Sequence, residues 1–211
     1  VLNSDNINIT GETFDYGPWR FTPHWDPDFV AAYFDYYGLY SFGRQPEAIH
    51  WDLAQLAGCL SLIAEAPPLS NMLAGWSDRF EQALIDALLL RLGIPSADND
   101  QQVASQLLKA LATREVTIDR FFFDWRGGRD PGSDKYPAEP FRTLAPVLER
   151  RAAPPTHPYW SDLQPCSMHI EEVEAIWSAI AERDDWAPFD AKVAAIRRMG
   201  EAITQDRPSA A

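Results

Sequence analysis

Lysine is scarce in this chain. Only Lys109, Lys135 and Lys192 occur among 211 residues. Bases of both kinds number 18 against 31 acids, and the net charge is −13. A surface so short of cations argues against nucleic-acid binding, which needs basic groups facing phosphates. It argues equally against an anionic membrane surface. Cysteine is scarcer still, with Cys59 and Cys166 alone, so there is no disulfide framework. Cys59 falls on a helical stretch with Leu56, Leu60 and Leu62 and is expected to be a buried small hydrophobe. The longest apolar run, near residues 87–90, is far too short to span a bilayer. No glycine-rich loop stands between a strand and a helix. Gly127, Gly128 and Gly132 fall in an Arg/Asp-rich loop instead. None of the three lysines lies in a V-A-I-K-like strand. The first residue is Val1, and no targeting signal precedes the first motif. These features lead us to expect the C-terminal part of a longer protein, cytoplasmic if bacterial.

What is present suits a folded piece. Apolar residues make up 46% of the chain, a normal share for a globular domain. The length allows one domain with a substantial core, or one with an appendage. The opening stretch NSDNINITGETFDYGP, residues 3–18, alternates Ile7 and Ile9 with Asn6, Asn8 and Thr10. That period-2 pattern, followed by Thr10-Gly11-Glu12 and the β-prone Thr13–Tyr16, predicts a short β-hairpin. With Thr10-Gly11 as the turn pair, Asn6 faces Asp15; with Gly11-Glu12 the two are diagonal neighbours. Either register brings an amide and a carboxylate together, with Asp5 one residue outside. Such oxygen donors suit Mg²⁺, which takes one or two carboxylates and completes its shell with phosphate and water. The plainer alternative is that Asn and Asp serve here only as turn residues.

Downstream, an aromatic-rich, proline-punctuated connector over 17–46 is expected to cover a core. His24 and His50 stand alone and read as structural. Helices are predicted over about 47–65, started at Pro46 and stopped by Pro67-Pro68, and over 70–92, with Gly93 as C-cap. The second carries Leu73, Trp76, Phe80, Leu84 and Leu88 at helical spacing. A third opens at Asp98, with Val103, Leu107, Leu108 and Leu111 on one face. Thr117 or Asp119 begins a short helix holding Phe121, Phe122, Phe123 and Trp125. A loop over 126–137, a helix near 139–151, a proline-rich linker and two amphipathic helices, about 169–183 and 188–203, follow.

The opening stretch resembles the catalytic segment of the selenoprotein O (SelO) family of pseudokinase-like protein adenylyltransferases. The family pattern N-T-D-N-M-x-I-x-G-x-T-I-D-Y-G-P is matched at Asn3, Asp5, Asn6, Ile9, Gly11, Thr13, Asp15, Tyr16, Gly17 and Pro18. WDPDFV (25–30), YSFGRQPEAIHWDLAQLAGCL (40–60) and QLLKALATREVTIDRFFFDW (106–125) resemble later family stretches in the same order, so the likeness runs from Val1 to about Trp125. The first motif is specific; the others are mainly scaffold. The resemblance implies that Asp5 is the proton acceptor and that Asn6 and Asp15 are Mg²⁺ ligands. Asp15 would also meet the nucleotide phosphates through the metal. It further implies ATP as co-substrate and protein Ser, Thr or Tyr hydroxyls as acceptors of AMP. Phosphorus transfer asks a protein mostly for positioning and charge neutralisation, and those roles suit these residues.

The chain also departs from the family. Ile7 replaces a methionine, Leu39 stands where the family has arginine, and Arg44 where it has asparagine. The family's closing N-P-K-Y-like helix and terminal redox residue are not found, which puts redox regulation in doubt. The expected fold is mainly α: a protein-kinase-like C-lobe (1–152) opened by a β-hairpin, a proline-rich linker (153–168) and a divergent helical tail (169–211). The expected function is Mg²⁺/ATP-dependent protein adenylylation as part of a longer chain, with the isolated piece inactive. The alternatives are ordinary kinase-type phosphotransfer and a non-catalytic helical interaction domain.

Overall fold

The computed structural model describes residues 1–13 and 20–208. Eight α-helices are found among the described residues: α1 (Gln45–Leu60), α2 (Ala66–Ala74), α3 (Trp76–Leu92), α4 (Asp100–Leu111), α5 (Ile118–Asp124), α6 (Glu139–Glu149), α7 (Ile170–Arg183) and α8 (Ala187–Gln205). The chain divides into two compact units. One comprises residues 1–20 and 26–84; the other comprises 21–25 and 85–211.

In the first unit, the expected β-hairpin is not found among the described residues. A single antiparallel bridge joins Ile7 to Thr13. The Asn8 amide donates to the Glu12 carbonyl at 2.7 Å, and the Gly11 amide to the Asn8 carbonyl at 2.9 Å. Gly11 has φ +84°. This is a three-residue loop closed by a left-handed glycine, a common alternative to the two-residue turn. The pairing is therefore shifted from both expected registers. The connector is also corrected. Tyr33, Tyr36 and Tyr37 are more than four-fifths exposed, so these rings cover no core among the described residues. The segment is shaped instead by its backbone: the Asp35 carboxylate accepts from the Leu39 and Tyr40 amides at 2.9 and 2.7 Å.

Helix α1 begins with Pro46 in its first turn, where the missing N–H costs nothing. Pro67 and Pro68 act the same way at the start of α2 rather than as a stop. The predicted single helix over 70–92 is two, broken at Gly75. The Arg79 guanidinium reaches back across the break to the Met72 carbonyl. Cys59 is exposed rather than buried. It sits in the last turn of α1, beside Gly58, where a side chain would meet nothing within 4 Å. The helix has run beyond its cover there, and Leu62 and Ile63 just past it are also exposed.

The second unit holds most of the described core. Helix α4 packs on α6, burying Val103, Leu107 and Leu111 against Phe141, Leu144 and Leu148. Thr117 caps α5 by accepting from the Arg120 amide. Phe121, Phe122, Phe123 and Trp125 are all buried. Asp124 ends the helix as a buried carboxylate with a full set of donors: Arg120 through Nε and Nη2, the Tyr136 hydroxyl and the Lys135 ammonium. Burial opposes its ionisation, but these donors hold its pKa below the ordinary value. Lys135 and Tyr136 belong to the 126–137 loop, so this carboxylate fixes the loop to α5.

The chain then turns through Gly127 at φ +70°. A Cβ there would lie 2.3 Å from the Ala153 carbonyl oxygen, so only glycine fits. Arg126, almost wholly buried, donates to the Leu90 and Arg91 carbonyls at 3.0 Å each. These carbonyls belong to the last turn of α3, where intrahelical partners run out. Both bonds come from Nη1; Nη2 donates to the Asp206 carbonyl at 2.5 Å, and the guanidinium lies 4.8 Å from the Trp160 ring centre. The Asp206 carboxylate at the end of α8 accepts from the Thr156 amide and hydroxyl, the His157 amide and the Trp160 indole N–H. The proline-rich stretch is thus tied to the last helix. Phe123, Tyr159, Trp160 and Ala202 form a small core beneath it, flanked by Cys166 and Met199.

Candidate active site

The N-terminal segment folds onto itself before the Ile7–Thr13 bridge. The Asn6 amide N–H donates to the Asn3 carbonyl at 2.9 Å. The Asn6 side chain donates through Nδ2 to the Val1 carbonyl at 3.2 Å. That bond occupies the amide nitrogen and leaves Oδ1, the atom a hard cation prefers, outside it. The Asn3 side chain accepts from the Ser4 amide at 3.0 Å. Asp5 stands exposed between these two asparagines. Two of the three expected site residues therefore lie side by side on one tight turn, with a carboxylate open to solvent and an amide fixed by its nitrogen. Asp15 lies outside the described residues. No cluster of three or more His, Cys, Asp or Glu able to hold a metal occurs among the described residues. Asn6 and Asp5 offer oxygen atoms of the kind Mg²⁺ accepts.

Helix α1 adds a residue that the sequence reading passed over. Asp52 is only 8% exposed, and neither of its carboxylate oxygens has a hydrogen-bond partner among the described residues. Burial raises its pKa, and the nearby Asp5 carboxylate raises it further. Helix α1 thus lies against the turn that carries Asp5, consistent with a cavity walled by Leu2 and Asn3 on one side and Ala48, Trp51 and Ala54 on the other. Aspartate inside an apolar helical face was the signal available in the sequence. Trp51-Asp52-Leu53 reads as a helix interior, where an acid needs a reason.

Asp52 gives a direct expectation. The folded chain holds its proton above the pH at which the unfolded chain releases it. Its stability contribution is therefore greatest at and below about pH 4, the unfolded value, and declines as pH rises through the folded value. Asp52→Asn removes the ionisation. Urea melts at pH 7 should show the variant about 1 kcal/mol more stable than the parent, with the gap closing near pH 4. A variant less stable at pH 7 would show that the carboxylate is held by favourable contacts.

A profile of the family described as Protein adenylyltransferase SelO matches residues 1–143. The chain belongs to the SelO family. The SelO match covers the turn bearing Asp5 and Asn6, helix α1 with Asp52, and the core as far as the first turns of α6. Among curated relatives, the protein nucleotidyltransferase YdiU of Synechocystis is 32% identical, over 90% of this chain and 45% of that protein. The same-named protein of Rhodopseudomonas palustris is 31% identical over 90% of this chain and 43% of its own length. That of Synechococcus is 29% identical over 95% and 46%. This SelO chain spans about half the length of the curated relatives it matches. No described helix is long and apolar enough to cross a membrane.

Proposed function

We propose that this chain is the catalytic-loop half of a protein adenylyltransferase, moving AMP from ATP to Ser, Thr or Tyr hydroxyls of other proteins. In this reading the first unit begins a protein-kinase-like C-lobe, and residues 169–211 are a divergent tail. The observation that carries the reading is the turn itself, with an exposed Asp5 directly before an Asn6 whose amide nitrogen is already bonded. Asp5 accepts the proton of the acceptor hydroxyl. The hydroxyl oxygen forms a bond to the α-phosphorus of ATP, and the bond to the bridging oxygen breaks to release pyrophosphate. Asn6 and Asp15 are the residues that would hold Mg²⁺, which supplies charge neutralisation at the phosphates when bound. The chain's own part is positioning: the Nδ2 bond to the Val1 carbonyl fixes the Asn6 side chain on the turn that carries Asp5, and a fixed geometry is where much of such catalysis resides.

Label transfer tests the reading in the whole protein. With α-³²P-ATP, acceptor proteins should become labelled, and with γ-³²P-ATP they should not. Label from the γ position alone would make the chemistry ordinary phosphotransfer. Label from neither, in a folded protein supplied with Mg²⁺, would favour a helical interaction domain.

A further inference from the structure

The cavity beside the Asp5 turn has its own chemistry. It encloses about 490 Å³ and is walled by Leu2, Leu39, Ala48, Trp51 and Ala54, with Arg44 and Glu47 at its charged edge. Its lining is mostly apolar. The one guanidinium is already spoken for: Arg44 Nε and Nη2 bind the two Glu47 oxygens at 2.9 and 3.1 Å. A site built for a triphosphate would keep its cation free and surround it with donors. This one does neither. The volume fits one large side chain with its flanking backbone. Asn3 lines the cavity and stands two residues from Asp5, a span of at most about 7 Å of chain. Two of the positions that depart from the family pattern, Leu39 and Arg44, fall in its wall. Leu39 and Trp51 are about half exposed, so both faces are within reach of an incoming chain.

We infer that this cavity is the acceptor subsite: it takes a large apolar side chain lying within about two residues of the acceptor hydroxyl, on a polypeptide with basic flanks. The inference rests on the adenylyltransferase reading for the identity of its occupant. The basic flanks follow from charge. The chain carries −13 overall, and the exposed Asp5 stands two residues along the chain from Asn3 in the cavity wall. Leu39 and Arg44 then set specificity together. Leu39 supplies apolar wall, and Arg44, neutralised by Glu47, closes the rim without attracting an anion.

The test is binding alone, so it is independent of the chemistry. Three fluorescein-labelled peptides, Lys-Lys-Ser-Phe-Lys-Lys and its Phe→Ala and Phe→Asp counterparts, are titrated into the 211-residue chain by fluorescence anisotropy. The Phe peptide should bind about tenfold or more tighter than the Ala peptide, the advantage of burying one large apolar side chain. The Asp peptide should bind no better than the Ala peptide. Leu39→Arg should abolish the Phe advantage, and so should Ala48→Arg, which fills the cavity from α1; both are checked for unchanged helical circular dichroism. Equal affinity for the Phe and Ala peptides overturns the inference, as does a Phe advantage that survives both variants. Asp5→Asn should keep the advantage. A retained Phe preference, with no α-label moved by the whole protein, refutes the transferase reading and leaves an apolar peptide site. One that moves α-label with no Phe preference refutes the subsite.

Discussion

Asp206→Ala should unfold the second unit at markedly lower denaturant, with a loss of about 2–4 kcal/mol in urea melts. One carboxylate meets four donors from the proline-rich stretch: the Thr156 amide and hydroxyl, the His157 amide and the Trp160 indole. Removing it leaves several of these unsatisfied, which costs far more than the net worth of one hydrogen bond. The pH dependence carries the same signature. Burial pushes the Asp206 carboxyl up, but the donors outweigh it and hold the pKa at about 2. A depressed carboxylate stabilises the fold above its unfolded value, near pH 4, and that contribution is lost as pH falls toward 2. The parent should therefore show an acid-sensitive component in this window that Asp206→Ala lacks. A variant within about 0.5 kcal/mol of the parent would mean that the tail is held by Tyr159, Trp160 and Met199 without the carboxylate.

The second large effect is chemical. In the whole protein, Asp5→Ala should lower AMP transfer by about 10²- to 10⁴-fold, the usual contribution of a positioned general base. Its melting curve should barely move, by no more than about 0.5 kcal/mol. Asp5 is exposed, and its effect on Asp52 is unfavourable, so its loss relieves a buried neighbour rather than orphaning one. A turn aspartate that capped backbone N–H groups would behave oppositely, costing about 0.5–2 kcal/mol on truncation. A variant that melts several degrees lower yet keeps full activity would make Asp5 structural and move the interaction-domain reading ahead.

Helical periodicity made much of the fold legible. The buried face of α4, the short aromatic helix α5, the Thr117 cap and Gly93 at the end of α3 all follow from local rules that tertiary packing did not override. Gly93 has φ +72°, and its amide donates to the Leu89 carbonyl at 2.9 Å. Boundaries were less legible where one residue type serves two ends. Pro67-Pro68 reads as a stop but starts α2, because proline suits a first turn as well as it ends a helix. Gly75 breaks a periodic run that hydrophobic spacing alone joins. The three-residue loop at Gly11 was hidden because a glycine in a turn does not reveal how many residues the loop contains. At the site, Asp5 and Asn6 were visible as a motif. Asp52 showed only as an acid inside a helix; its burial without partners is information that sequence spacing does not carry. The connector aromatics misled for a related reason: composition predicts ring burial only where something is available to cover the rings.

Synthesis imposes an order on the second unit. Arg126 is buried against carbonyls of α3, but the carbonyl that takes its Nη2 belongs to Asp206, 80 residues later. At about 5–20 residues per second, roughly 4–16 s separate the two on the ribosome. Through that interval α4, α5 and α6 can form while the guanidinium lacks its last acceptor and the Trp160 face it packs on. The unit closes late, from its far end, and its nascent form exposes the Phe123 surface that Tyr159, Trp160 and Ala202 finally cover.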